Sequence, residues 1–167
     1  MKTGASHNLA FTLIEVSIWL FITFFLITII FQASLFYVTT AHRITKNMQT
    51  LVELHSAMQL MHNDFAQAPT AVSGYTLGDM RMCSFKNGAG RVISWRFIVA
   101  KKQLMREYRH QTADGKTHSD SNVILEMLNN CTFFPVLSGQ RVCEIVVELT
   151  KAPHTIQRRF FIGQGNL

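Results

Sequence analysis

Glu15 is the last charge before His42 and Arg43, and residues 16–41 contain no Asp, Glu, Lys, Arg or His. Few environments suit a run so long and so apolar. As a helix rising 1.5 Å per residue, residues 11–37 exceed the roughly 30 Å of hydrocarbon in a bilayer. Glu15, just inside the start of this run, is the exception that needs explaining. Translocon scales put a charged residue at a membrane-helix centre at roughly 2.5–3.5 kcal/mol, and lower near the interface. An intramembrane acid is by default a functional group with a partner to be named.

The segment in front supplies a candidate. Residues 1–10 carry one Lys, Lys2, no acid, and the small residue Ala10 at their end. Cleavage after Ala10 would make Phe11 a new N-terminus, with an α-amino group that is cationic at neutral pH. That ammonium would lie about one helical turn from its own Glu15, or could meet Glu15 of a neighbouring subunit shifted along the helix axis. An ion pair in low dielectric sets register more convincingly than it adds stability.

Phe11-Thr-Leu-Ile-Glu15, continued by Val16, resembles the signal of type IV prepilins and type II secretion pseudopilins. The resemblance implies that prepilin peptidase removes residues 1–10, cutting between Ala10 and Phe11, and N-methylates Phe11. It further implies that Glu15 pairs with a neighbour's amine during assembly. The family has Gly before the cut where this chain has Ala10, which is also small. Two other readings stay open: an ordinary signal anchor with Glu15 at headgroup level, and a secretory signal peptide cut near Gln32-Ala33-Ser34. The run 16–38 is longer than the roughly 7–15 residues of a signal-peptide core.

The 167 residues leave room for one membrane helix and one domain of roughly 120 residues. Lys2 lies on one side of the run and His42, Arg43 and Lys46 on the other, so charge alone does not orient it. The resemblance does, implying the leader inside and the globular domain outside, a single-pass protein of the bacterial inner membrane with a periplasmic head. Net charge is +6, or +5 once Lys2 is removed with the leader. Basic residues are spread along the chain, with Lys101-Lys102 and Arg158-Arg159 only as pairs. An unpatterned soluble surface accounts for that better than a nucleic-acid partner.

Three cysteines, Cys83, Cys131 and Cys143, suit one bridge and one spare thiol in an oxidising compartment. Cys131 and Cys143 flank a segment containing Gly139 and are the expected pair, worth up to about 3 kcal/mol in the chain-entropy model. Buried free thiols are the alternative.

Past the span, Ile44, Met48, Leu51, Leu54, Met58, Met61 and Phe65 recur three or four apart, one apolar helical face. No Pro or Gly interrupts residues 11–68 before Pro69, so one helix of about 58 residues, near 87 Å, is predicted. From Gly74 the period changes to two. Strands are predicted at 82–85, 91–99, from Leu104 through Tyr108, and at 131–136, 144–150 and 155–162. Pro135 belongs at an edge or bend. Residues 110–121 read as a polar loop round Asp114-Gly115, and 123–128 as a short strand or a helical turn.

The expectation is an α+β fold: a long N-terminal helix, membrane-spanning in its first half and amphipathic in its second, packed on an antiparallel β-sheet head. The segments are a leader at 1–10, a transmembrane and assembly helix at 11–38, an amphipathic helix at 39–68 and a β-rich head at 69–167. That order resembles pilin-like proteins. Residues 54–67, Leu104-Met-Arg106, Val123-Ile-Leu125, Phe133-Phe134 and Arg159-Phe160-Phe161 are similar to a J-type minor pseudopilin of type II secretion, and equally to a minor pilin of a type IV or competence pilus. The implied partners are other pilin-like subunits, prepilin peptidase, the inner-membrane assembly platform and membrane lipid.

No catalytic signature is present, and no enzyme activity, cofactor or metal is expected. His55 and His62 share a helix side but sit two turns apart, too far for one metal without other ligands. Asp114, Asp120 and Asn122 lack EF-hand spacing.

Overall fold

The computed structural model describes residues 12–112 and 114–162. Its fold is α+β. One helix, α1 (Leu13–Phe65), is followed by eight antiparallel strands. Two compact units divide between Lys46 and Asn47, inside α1. Among the described residues the first is helix from Leu13 onward, and its 18-residue apolar stretch, which buries nothing within the chain, is long and apolar enough to cross a membrane.

The second unit holds two meander sheets. The larger runs β1 (Tyr75–Gly78), β2 (Met82–Lys86), β3 (Val92–Ile98), β4 (Gln103–Gln111) and β5 (Thr117–Leu125) in chain order. The smaller runs β6 (Asn130–Ser138), β7 (Arg141–Lys151) and β8 (His154–Phe161). The sheets are joined where the Phe133 N–H donates to Met80 O at 2.7 Å and the Leu128 N–H, in the β5–β6 connection, to Lys102 O at 2.9 Å. Pro135 lies on β6, which pairs only with β7 in its sheet, so its missing N–H costs no ladder bond there.

Alternation fixes which faces meet. Ile93, Trp95 and Phe97 on β3 stand opposite Tyr108, Arg106 and Leu104 on β4, while Ile145, Val147 and Leu149 point inward from β7. Against these faces α1 lays Leu54, Ala57, Met58, Met61 and Phe65, all buried. Each fully buried side chain of this kind contributes about 1.5–3 kcal/mol of transfer free energy. The buried stripe begins later than its period suggests: Leu51 is half-buried, and Ile44 and Met48 are exposed. The head's cover thins near Glu53, which takes Lys151 Nζ of β7 at 2.5 Å.

Residues 110–121 are mostly strand rather than loop. β4 runs on to Gln111, and Thr117 to Ser121 of β5 pair with it. β5 is an edge strand exposed along most of its length, so it carries no apolar alternation and its polar sequence suits an edge. β1 was likewise unannounced. The ambiguous stretch 123–128 resolves into the end of β5 and a turn at Met127, whose φ is +58°.

One polar contact locks the helix end to the sheet. Asp64, buried on the inner face of α1, accepts from Trp95 Nε1 at 2.9 Å and from Arg106 Nε and Nη2 at 2.7 and 2.5 Å. Arg106 also donates to Tyr108 Oη at 2.8 Å and lies over its ring at 4.2 Å. Burial works against the Arg106 charge, but the Asp64 hydrogen bonds and carboxylate outweigh it and raise its pKa above the ordinary value. Removing one partner from such a pair strands the other without compensation.

Asp64→Ala should therefore destabilise the head by about 3–5 kcal/mol in denaturant unfolding. Replacing both Asp64 and Arg106 by Leu should recover much of that loss, because no buried charge is left unpaired. A double variant as unstable as the single one would show that the pair itself carries the stability.

Candidate functional site

Of the residues singled out for assembly, Ala10 and Phe11 lie outside the described residues, and Glu15 lies in the first turn of α1. Thr12 stands just before that turn. Its N–H and its hydroxyl both donate to Glu15 Oε2, at 2.9 and 3.0 Å, and the Glu15 N–H reaches Thr12 Oγ1 at 3.4 Å. This is a capping box, in which a Thr and a Glu three residues on satisfy each other's free backbone N–H groups. The negative carboxylate also sits at the positive end of the helix dipole. Thr12 was not singled out for a role, yet the Thr-x-x-Glu spacing was legible.

The box changes the electrostatic problem at Glu15. One carboxylate oxygen is engaged by the chain's own Thr12, while Oε1 accepts no bond among the described residues. A cation could take Oε1 without breaking the cap.

Hydroxyls farther along are also satisfied. Ser17, Thr23, Thr28 and Ser34 donate to the carbonyls of Leu13, Trp19, Phe24 and Ile30 at 2.8–2.9 Å. In lipid such groups have no water to bond, and the carbonyl four residues back removes that cost. The polar residues in the run are thus compatible with an apolar surrounding, and Glu15 is the one acid on it.

The expected Cys131–Cys143 bridge does not form; both are free thiols, as is Cys83. Cys131 faces Leu149 across β6 and β7, whereas Cys143 neighbours Glu144, which faces Val136. Five or six strand residues at about 3.3 Å each separate the two along the ladder, far beyond the roughly 4.4–6.8 Å Cα spacing of a disulfide. The loop 139–140 is a tight hairpin, so closeness in sequence works against closeness of these side chains. Burial pushes the Cys83 thiol up to about 12 and raises that of Cys131 as well, while Cys143 is exposed.

The head has three clefts worth weighing. One of about 330 Å³ is lined by Arg91, Tyr108, His110, Asp120 and Asn122. Another of about 350 Å³ is an apolar groove between Leu51, Val52 and Ile156. The third, about 310 Å³, lies between Thr70, Arg141 and Phe161. None gathers a nucleophile, a base and an oxyanion donor. No group of three His, Cys, Asp or Glu is assembled to hold a metal ion among the described residues. His55 and His62 are exposed on α1, and the His62 ring lies 6.2 Å from Phe160. Asp114 sits in the β4–β5 turn, and Asp120 and Asn122 on β5.

No protein-family model matches this chain, and no curated protein matches it in sequence.

The thiols give a direct check on the head. In the native protein at neutral pH, a thiol reagent should label Cys143 alone, and denaturation without reductant should expose all three. A Cys131–Cys143 disulfide, seen as two missing thiols, would contradict the register of β6 and β7.

Proposed function

We propose that this chain is a minor pilin-like subunit that joins a short filament through its N-terminal helix and helps initiate or cap it, in the service of type II protein secretion. The observation that carries the reading is Glu15: a lone acid at the first turn of an exposed, membrane-length apolar helix, with one carboxylate oxygen held by Thr12 and the other open. In this account prepilin peptidase releases Phe11 and methylates it, and the inner membrane holds the helix with the head in the periplasm. The assembly platform then lifts the helix out of lipid, and neighbouring pilin-like helices replace the hydrocarbon around it.

The order of elements supports this reading. A helix that turns amphipathic at its C-terminal end and packs there on antiparallel sheets is the order of elements such a subunit needs. The head's buried acid, Asp64, is spent on packing with Trp95 and Arg106. Function on this account comes from assembly rather than turnover, and the head's surface selects which subunits fit beside it.

Two substitutions separate capping from charge. Glu15→Gln retains a side-chain oxygen able to close the box with Thr12 but carries no charge; Glu15→Ala removes both. If Glu15 sets register by meeting a neighbour's ammonium, both variants should insert in the membrane and be processed, and both should be lost from filaments co-purified with other pilin-like chains. Wild-type incorporation of Glu15→Gln would reduce Glu15 to a helix cap and overturn the register role.

A further inference from the structure

One amide stands in the apolar part of α1, and the helix does not satisfy it. Ser17, Thr23, Thr28, Ser34 and Thr39 each donate to the carbonyl four residues back, at 2.8–3.0 Å. Gln32, the single amide in residues 16–41, is exposed and makes no side-chain hydrogen bond among the described residues. A glutamine can bond the carbonyl four residues back, as Gln67 does to Asn63 at 3.4 Å, but that serves only its Nε2. For Oε1 the helix has no donor to offer. Beyond the first turn each backbone N–H is bound to a carbonyl, and the nearby Thr28 and Ser34 hydroxyls have given their one proton. An amide oxygen without a donor is costly wherever water is absent.

Trp19 and Tyr37 set the depth. Both are exposed aromatic side chains with a polar tip, which stand at membrane interfaces. The helix between them rises about 27 Å, close to the hydrocarbon thickness. Gln32 lies about 7.5 Å inside Tyr37. Helical side chains lean toward the N-terminus, so its amide is carried toward the bilayer middle and away from the nearer interface. With Gln32 in the series, Phe21, Phe25, Thr28, Leu35 and Thr39 recur three or four residues apart. That spacing is the seam of a left-handed helix pair. Glu15 stands about 100° round the helix from Gln32.

We propose that two copies of this chain pair in the membrane through Gln32, the Nε2–H of each amide donating to Oε1 of the other. The chemistry selects a second copy as the occupant. An identical helix inserted in the same direction brings an identical amide to the same depth. The amide is complementary to itself, because each supplies the donor that the other's oxygen lacks. Partial charges therefore match across a two-fold axis with no further residue type. Thr28 and Leu35, about one turn to either side, flank the amides. The inference rests on α1 crossing a membrane and is independent of cleavage at Phe11. Glu15, off this seam, is left uncovered by the pairing.

The test reconstitutes the full chain in phosphatidylcholine vesicles, with donor and acceptor dyes on the exposed Cys143. Energy transfer between copies should fall as lipid dilutes them, which gives a dissociation constant. Gln32→Leu should weaken association by about threefold to thirtyfold, the range of interhelical polar bonds in lipid. Gln32→Asn, which keeps an amide, should retain most of it. In a Cys143→Ser background, Phe25→Cys should form linked dimers when copper–phenanthroline is added as oxidant. Ile30→Cys, on the opposite side of the helix, should not. Alkaline carbonate extraction of the same vesicles checks insertion: release of the wild-type chain would remove the span and the pairing with it. An inserted chain that stays monomeric would give the amide to a different helix and overturn the pairing while the span stands. Wild-type association of Gln32→Leu, or equal cross-linking at Phe25 and Ile30, would overturn it as well.

Discussion

The head is organised round a carboxylate that has no water. Asp64 sits on the buried side of the last turns of α1, 2% exposed, and accepts three hydrogen bonds from Trp95 and Arg106. A buried charge tolerates only a complete set of partners. That requirement fixes the rotation of the helix's final turns and its position along β3 and β4 more tightly than apolar packing does, since Leu and Met side chains accommodate small slips. The aromatic cluster of Phe65, Phe85 and Phe160, with ring centroids 5.2–5.6 Å apart, fills the space that this anchoring defines.

The two ends of α1 use acids in contrasting ways. Asp64 is consumed within the chain, and its removal is a question of stability. Glu15 is half consumed: Thr12 takes one oxygen and the cap is closed, in a stretch where a charged group is expensive. Ser17, Thr23, Thr28 and Ser34 show how uncharged polar residues escape that cost, by bonding the carbonyl one turn back. A carboxylate cannot do the same, because it has nothing to donate. Its remaining need is for a cation, and residues 16–41 hold none.

Much of this was legible in the residues. The amphipathic stretch from Leu54 to Phe65 and the alternation of Ile93, Trp95 and Phe97 state their burial outright, because each buries one face against a core. β5 was not legible, since an exposed edge strand has no buried face to give it a period. The Asp64–Arg106 pair was equally hidden: the two are 42 residues apart, and nothing local to either indicates that helix and strand will meet there. The disulfide expectation failed for a related reason. Cys131 and Cys143 are near in sequence, but the hairpin between them pairs Cys131 with Leu149 and leaves Cys143 at the register shift between Val142 and Glu144. At the helix start Glu15 stood out by its isolation, while Thr12 passed as ordinary although its three-residue spacing is that of a cap.

The account turns on whether an ammonium is created next to Glu15. Intact mass and N-terminal sequencing of the protein from its native membrane measure this directly. The account predicts a mature chain that begins at Phe11, carries one added methyl group on its terminal nitrogen, and lacks residues 1–10. A chain that retains Met1, or one that begins near Ser34 with Glu15 removed, would contradict it.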